Sequence, residues 1–213
     1  MRSVDAYNIL VVGVGGQGVL FASEAIGEAA LESGFNVRVA EVHGMAQRGG
    51  SVVCNVRLGE RVHSPMIPEG ESHLIIALEP LEALRYVRYM NRETLIAVNS
   101  NAVIPPGLII SGGRYPSLSE IVKGIGEVSK NILIVDALSK AKEAGSPAAQ
   151  NVVMLGLVSA SGKLPISSEI LKKTVTQLVK RKFQDVNRRA FEIGFKSYME
   201  ALNSSSLYLT GKL

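Results

Sequence analysis

The stretch Gly13-Val14-Gly15-Gly16-Gln17-Gly18 constrains the fold of this chain more than any other. Ahead of it stands Asn8-Ile9-Leu10-Val11-Val12, a continuous apolar run of the kind a strand needs when both faces are covered. Behind it, residues 19–31 carry Ala22, Ala25, Ile26, Ala29 and Ala30 at helical spacing, with Ser33-Gly34 as a stop. A second apolar strand is expected over residues 36–42. A glycine turn between a buried strand and a helix is the opening of a βαβ unit. The expected architecture is therefore a Rossmann-like three-layer α/β fold with a mostly parallel sheet.

Glycines at this turn permit positive φ and close backbone approach, and the following helix offers free N–H groups and a partial positive charge to an anion. The spacing G-x-G-x-x-G fits the dinucleotide fingerprint, and Glu41 stands 23 positions after Gly18, close to where such sites place an acid for a ribose. Three readings follow: a dinucleotide site, contact with another anion or a partner, or a turn that only lets helix and strand pack. The residues leave all three open.

Further along, the alternation is interrupted. Residues 43–50 are polar and glycine-containing, hence a loop. Residues 51–64 read as an inserted β-hairpin, with β-branched Val52, Val53 and Val56, a turn at Gly59-Glu60 and a short return strand over 61–64. The strand–helix pattern resumes with strands over 73–78, 94–99 and 131–135 and helices over 80–89 and 117–128; residues 107–110 read as a short strand. From Leu138 onward the pattern is helical, over 138–144, 148–160, 167–182 and 185–202. Residues 1–203 thus form one expected domain, and 204–213, opening on a serine run, a flexible tail.

Composition excludes several classes. One cysteine in 213 residues rules out a disulfide framework and an all-cysteine cluster within the chain, because a cluster takes about four thiolates. A formal charge of +4 with 5% aromatics and no tryptophan is no nucleic-acid signature. The basic residues Lys180-Arg181-Lys182 and Arg188-Arg189 read as a solvated helical face. The uncharged stretches 6–23, 94–113 and 145–162 are broken by glycines, by Pro105-Pro106 and by polar residues respectively, so no membrane span or export signal is expected, and the chain reads as soluble and cytoplasmic. His63 and His73 lack paired ligand spacing, and no metal site is expected. Cys54, among valines, reads as a buried apolar residue. Asp136 ends a strand and reads as the cap of the next helix. Asn99 closes a strand at the edge where open α/β sheets bind ligands. Phe191, Phe195, Met199 and Leu202 share one helical face, read as core first and partner contact second.

The most distinctive segment is Glu41-Val42-His43-Gly44-Met45-Ala46-Gln47-Arg48-Gly49-Gly50-Ser51, at the carboxyl end of the second strand. Arg48 offers planar, bidentate donors for a phosphate or carboxylate, and Gly49-Gly50 would let a ligand or neighbouring chain come close. This segment, the glycine turn, Asn151-Val152-Val153-Met154-Leu155-Gly156 and Asn187-Arg188-Arg189-Ala190-Phe191-Glu192-Ile193-Gly194 together resemble the gamma-type domain of the 2-oxoacid:ferredoxin oxidoreductases, and within it the beta subunits of the indolepyruvate branch. The resemblance runs in order through nearly the whole chain.

It implies a small subunit of a heteromer, either heterodimer or heterotetramer. Members of this family decarboxylate a 2-oxoacid on thiamine diphosphate, pass electrons through iron–sulfur clusters to ferredoxin and acylate coenzyme A. This chain has no G-D-G thiamine-type motif and too few cysteines for a cluster, so these cofactors belong to the holo-complex, with thiamine diphosphate and clusters on a large partner subunit and none bound by this chain alone. No catalytic residue is expected here, and the isolated chain is expected to be inactive. The contact surface would comprise Gly13, Gly15, Gly16, Gln17, Gly18, His43, Gln47, Arg48 and Gly49. The competing readings are a stand-alone NAD(P)-binding dehydrogenase and a nucleotide-sensing module.

Overall fold

A computed structural model describes residues 4–44 and 49–204. The chain opens with β1 (Tyr7–Val14), the glycine turn and α1 (Val19–Glu32). Then come β2 (Asn36–His43), β3 (Ser51–Gly59), β4 (Leu74–Ala77), α2 (Pro80–Arg85), β5 (Leu95–Asn99), α3 (Pro106–Ile110), α4 (Leu118–Gly126) and β6 (Ile132–Val135). Four helices close the described chain: α5 (Ala137–Ala144), α6 (Gln150–Ala160), α7 (Ser168–Gln177) and α8 (Arg181–Ser204). The expected tail lies, apart from Ser204, outside the described residues.

The six strands lie in the order β2-β3-β1-β4-β5-β6. β1, β4, β5 and β6 pair in parallel, while β3 runs antiparallel to both β1 and β2. Alternate side chains feed two cores. Ile9, Val11, Cys54 and Ile76 pack beneath α1, α5, α6, α7 and α8, whereas Leu10, Val12, Val53 and Ile75 pack with α2 and α4. This is the three-layer arrangement that the buried strand runs require.

The inserted antiparallel element differs from the sequence-based expectation in its partner. Residues 61–64 form no strand, and β3 pairs with β2 before it instead of a return strand after it. The physical reason is burial: Val53, Cys54, Asn55, Val56 and Leu58 are all buried, so this run belongs inside the sheet, between β1 and β2. Past Gly59 the chain runs alongside the segment that leads into β1, where the Glu60 and Arg61 amides donate to the carbonyls of Val4 and Asp5 at 2.9 Å each. Two further corrections are local. Residues 106–110 are helical, not extended, and the break between the last two helices falls at 178–180 instead of at 183–184.

Candidate functional site: the carboxyl edge of the sheet

Because β3 is antiparallel, its first residue reaches the same edge as the last residues of β1 and β2: Val14 is opposite Ser51, and His43 is opposite Val52. The two glycine-containing loops therefore meet. The Gly15 amide donates to the Gly50 carbonyl at 2.9 Å.

The glycines of the turn divide into two kinds. Gly13 and Gly18 are closed in by the protein: a Cβ on Gly13 would lie 2.9 Å from Gln17 Oε1 and from Val19, and one on Gly18 would lie 2.3 Å from Asn151 Nδ2. At Gly16, Gly44 and Gly49 a Cβ would meet nothing within 4 Å, so these backbones stand open. Gln17 is only 7% exposed and turns inward. Its Oε1 accepts from the Val14 amide and its Nε2 donates to the Leu78 carbonyl, each at 2.9 Å. Gly18, at φ +80°, is the N-cap of α1, which has no side-chain cap hydrogen bond and no acid in its first turn. Of the other expected contact residues, His43 ends β2, while Gln47 and Arg48 lie outside the described residues.

The same Leu78 carbonyl accepts from Asn99 Nδ2 at 3.1 Å. Asn99 is fully buried, donates also to Gln150 Oε1, and accepts from the Ala137 amide at 3.1 Å. Gln17, Leu78, Asn99 and the starts of α5 and α6 thus form one polar brace beneath the edge. Asp136 caps α5 as expected, accepting from the Ser139 amide at 2.9 Å, and those hydrogen bonds hold its carboxyl below the ordinary range.

A second cluster was not singled out by sequence reasoning. Glu79 and Glu82 are both buried at the junction of β4 and α2. Glu79 caps α2 through the Glu82 amide at 3.1 Å, accepts from the Val103 amide at 3.2 Å and accepts from the Tyr115 hydroxyl. Burial and the facing Glu79 push that hydroxyl up, which keeps it a donor. Glu82 accepts from Ser51 Oγ at 2.5 Å and from Arg85 Nε at 3.1 Å. The only hint was Glu79-Pro80 with Glu82 three residues on, a helix-start signature that says nothing about burial. Glu82 holds the foot of β3 where the 43–50 loop re-enters the sheet, so the two carboxylates tie three segments to this edge.

His73 lies at the opposite edge, where its Nδ1 accepts from the Asn8 amide at 3.0 Å and its ring stacks on Tyr7. Burial lowers its pKa, consistent with an unprotonated acceptor nitrogen. Glu41 does not occupy the dinucleotide position. It pairs with Cys54, which itself pairs with Val11, so a whole strand separates it from β1, a distance of about 10 Å. In a dinucleotide fold the acid-bearing strand is the direct neighbour of the glycine-turn strand.

Fold and edge together define an α/β subunit whose carboxyl edge presents open backbone on a rigid polar brace. Residues 8–197 match the family described as pyruvate ferredoxin/flavodoxin oxidoreductase. The chain is 43% identical over 188 residues to the indolepyruvate oxidoreductase subunit IorB of Archaeoglobus fulgidus, covering 88% of this chain and 93% of that one. It is 42% identical over 198 residues to IorB of Pyrococcus horikoshii, covering 92% and 98%. The fold is shared with the gamma subunit of a keto/oxoacid ferredoxin oxidoreductase from Geobacter sulfurreducens, at TM-score 0.66 and 23% identity over 92% of this chain and 99% of that one. The chain belongs to the pyruvate ferredoxin/flavodoxin oxidoreductase family. It is an oxidoreductase subunit of this family, and the reading as a stand-alone dehydrogenase finds no support. Among the described residues, no helix is long and apolar enough to cross a membrane.

Proposed function

We propose that this chain serves an enzyme that oxidatively decarboxylates indolepyruvate or a related arylpyruvate to its acyl-coenzyme A, with ferredoxin as electron acceptor, in the cytoplasm. The observation that carries this reading is the 43% identity to an IorB subunit over nearly the full length of both chains. Thiamine diphosphate on the large subunit supplies carbanion stabilisation when bound, and iron–sulfur clusters there carry the electrons. The residues of this chain do not fit a cluster: Cys54 is its one cysteine, is fully buried, and has its thiol pushed up by desolvation.

What this chain contributes is a surface. Gly15, Gly16 and Gly49 bring backbone close to whatever faces the edge, while Gly13, Gly18 and Gln17 set the shape of the turn from within. Arg48 and Gln47, with His43, supply polar contacts from the second loop. The facing group is an anion: a coenzyme A phosphate, a substrate carboxylate or a carboxylate of the large subunit.

Co-expression of this chain with the large subunit, followed by purification and assay, tests the reading. The expected result is a brown complex that reduces ferredoxin in the presence of indolepyruvate, coenzyme A and thiamine diphosphate, and that prefers arylpyruvates to pyruvate and 2-oxoglutarate. The chain alone should reduce no dye with any 2-oxoacid. Activity of the isolated chain would overturn the subunit role, and a preference for pyruvate would overturn the substrate assignment.

A further inference from the structure

α2 starts at the carboxyl edge with a buried acid as its N-cap, Glu79, and a second in its first turn, Glu82. A buried carboxylate is costly unless hydrogen bonds hold it, and Glu82 is held by Arg85 Nε at 3.1 Å and by Ser51 Oγ at 2.5 Å. A hydroxyl-to-carboxylate bond of that length is the charge-assisted kind. The Tyr86 hydroxyl, 3.3 Å from the same Oγ, closes the cluster. The side chain of Ser51 is thus tied to α2, while its backbone opens β3 opposite Val14.

What Ser51 fixes lies beside it. Gly49 and Gly50 have no side chains to anchor them, and Gly49 stands at φ +71° with open space where a Cβ would be. Glycine has the most backbone freedom to lose, so two in a row need an anchor from outside. The Gly50 carbonyl accepts from the Gly15 amide at 2.9 Å. Gly15 belongs to the glycine turn, which Gln17 and Asn151 already fix from within. A chain of contacts, Glu82–Ser51–Gly50–Gly15, therefore runs from a buried helix start to the open side of the turn. Glu79 directs its bonds elsewhere, to the amides of Glu82 and Val103 and the hydroxyl of Tyr115, and so fastens a different loop.

We propose that Glu82 is a positioning residue for the reaction of the heteromer: through Ser51 it sets where the Gly49–Gly50 backbone stands against Gly15, and so the shape of the edge that faces the anion. This rests on the carboxyl edge being the surface this chain contributes. Glu82 itself lies buried behind that surface and acts through Ser51.

Ser51→Ala removes the bond. In the isolated chain the Gly15 amide should then gain in hydrogen-exchange rate at least about ten-fold more than the amides of β1 do. In the heteromer the variant should raise by about ten-fold or more the KM for coenzyme A, the KM for the 2-oxoacid or the Kd for the large subunit, according to which group faces the edge; a smaller folded fraction moves neither KM. Glu82→Gln, which removes the charge behind the bond, should shift the same readouts in the same direction. Ser51→Thr keeps the hydroxyl on a residue that suits a strand, and should return Gly15 exchange and the raised constant to within about three-fold of wild type. Tyr115→Phe takes a hydrogen bond from Glu79 without touching Ser51, and Gly15 exchange should stay in step with β1. Gly15 exchange that follows β1 in Ser51→Ala, or that Tyr115→Phe raises equally, would overturn the proposal. So would raised Gly15 exchange with all three constants at their wild-type values. The assay uses whichever 2-oxoacid the wild-type heteromer oxidises, so a wrong substrate assignment leaves the test intact. A heteromer that oxidises none would overturn the functional reading and the role of Glu82 in it, while exchange in the isolated chain would still decide whether Glu82 sets the Gly15–Gly50 contact.

Discussion

Gly16 and Gly18 stand two residues apart, both with positive φ, yet the same substitution should affect them differently. Alanine at Gly16 meets open space, so its cost is backbone strain alone, about 1 kcal/mol. Alanine at Gly18 adds the displacement of Asn151, whose Nδ2 also donates to the Gly18 carbonyl at 3.2 Å. A loss of about 2–3 kcal/mol is expected there. Urea unfolding of the two variants measures the difference, and Asn151→Ala in the Gly18→Ala background should recover part of it. Equal losses at the two positions would mean that Asn151 does not shape the turn. This distinction was not legible in the sequence, because the residue that fills the space at Gly18 comes from 133 positions further along. The turn itself was legible, because a buried strand, glycines and a helix follow one another locally. Gln17 is intermediate. Its presence in a glycine turn marked it as unusual, but its partner Leu78 lies just past the end of β4, 61 positions further along.

Elements with a one-sided or two-sided apolar pattern were read correctly from the sequence, and those defined by their neighbours were not. β1, β4, β5 and β6 declare themselves as short apolar runs, and α1 by its alanine spacing. β3 did not declare its partner, since alternation and β-branching are alike in an exposed hairpin and in a strand inserted between two others. The likeness at residues 151–156 and 187–194 also has a meaning that only packing shows. Gly156 and Gly194 lie where α6 and α8 touch: a Cβ on Gly156 would come within 2.1 Å of the Phe191 carbonyl oxygen, and one on Gly194 within 2.0 Å of the Val153 carbonyl oxygen. Both obstacles are backbone, so neither can yield by a side-chain rotation. Gly156→Ala and Gly194→Ala should each cost about 3 kcal/mol by forcing the helices apart. Thermal unfolding of the isolated chain is the check. A loss of less than about 1 kcal/mol in either variant would show that the helices separate at little cost, and would move the significance of these glycines from packing to some other role.

For the whole molecule, the antiparallel β3 has a functional consequence. In an uninterrupted βαβ unit the glycine turn and the loop after β2 would sit above neighbouring strands. Here the intervening strand β3 begins at that same edge, and Gly15–Gly50 and Ser51–Glu82 fix where the chain enters it. Residues 43–50 connect two strand ends that are fixed at one edge, and Arg48 is the one formally charged residue in that stretch of sequence. A single charge-assisted contact contributes roughly 1.5–3 kcal/mol. Arg48→Ala should then lower the turnover of the reconstituted heteromer by about ten-fold to a hundred-fold, with the isolated chain unfolding at the wild-type urea concentration. Arg48→Lys should recover only part of the activity, because a compact ammonium cannot reproduce a planar fork. Steady-state rates across a range of arylpyruvate and coenzyme A concentrations identify the anion: a raised KM for one of the two names that ligand, whereas a lowered kcat with both KM values unchanged points to an interaction formed only as the reaction proceeds. If Arg48→Ala fails to assemble, Arg48 belongs to the subunit interface, and its partner is a carboxylate of the large subunit. If it assembles and turns over at the wild-type rate at every concentration, the carboxyl edge binds its partner through backbone alone.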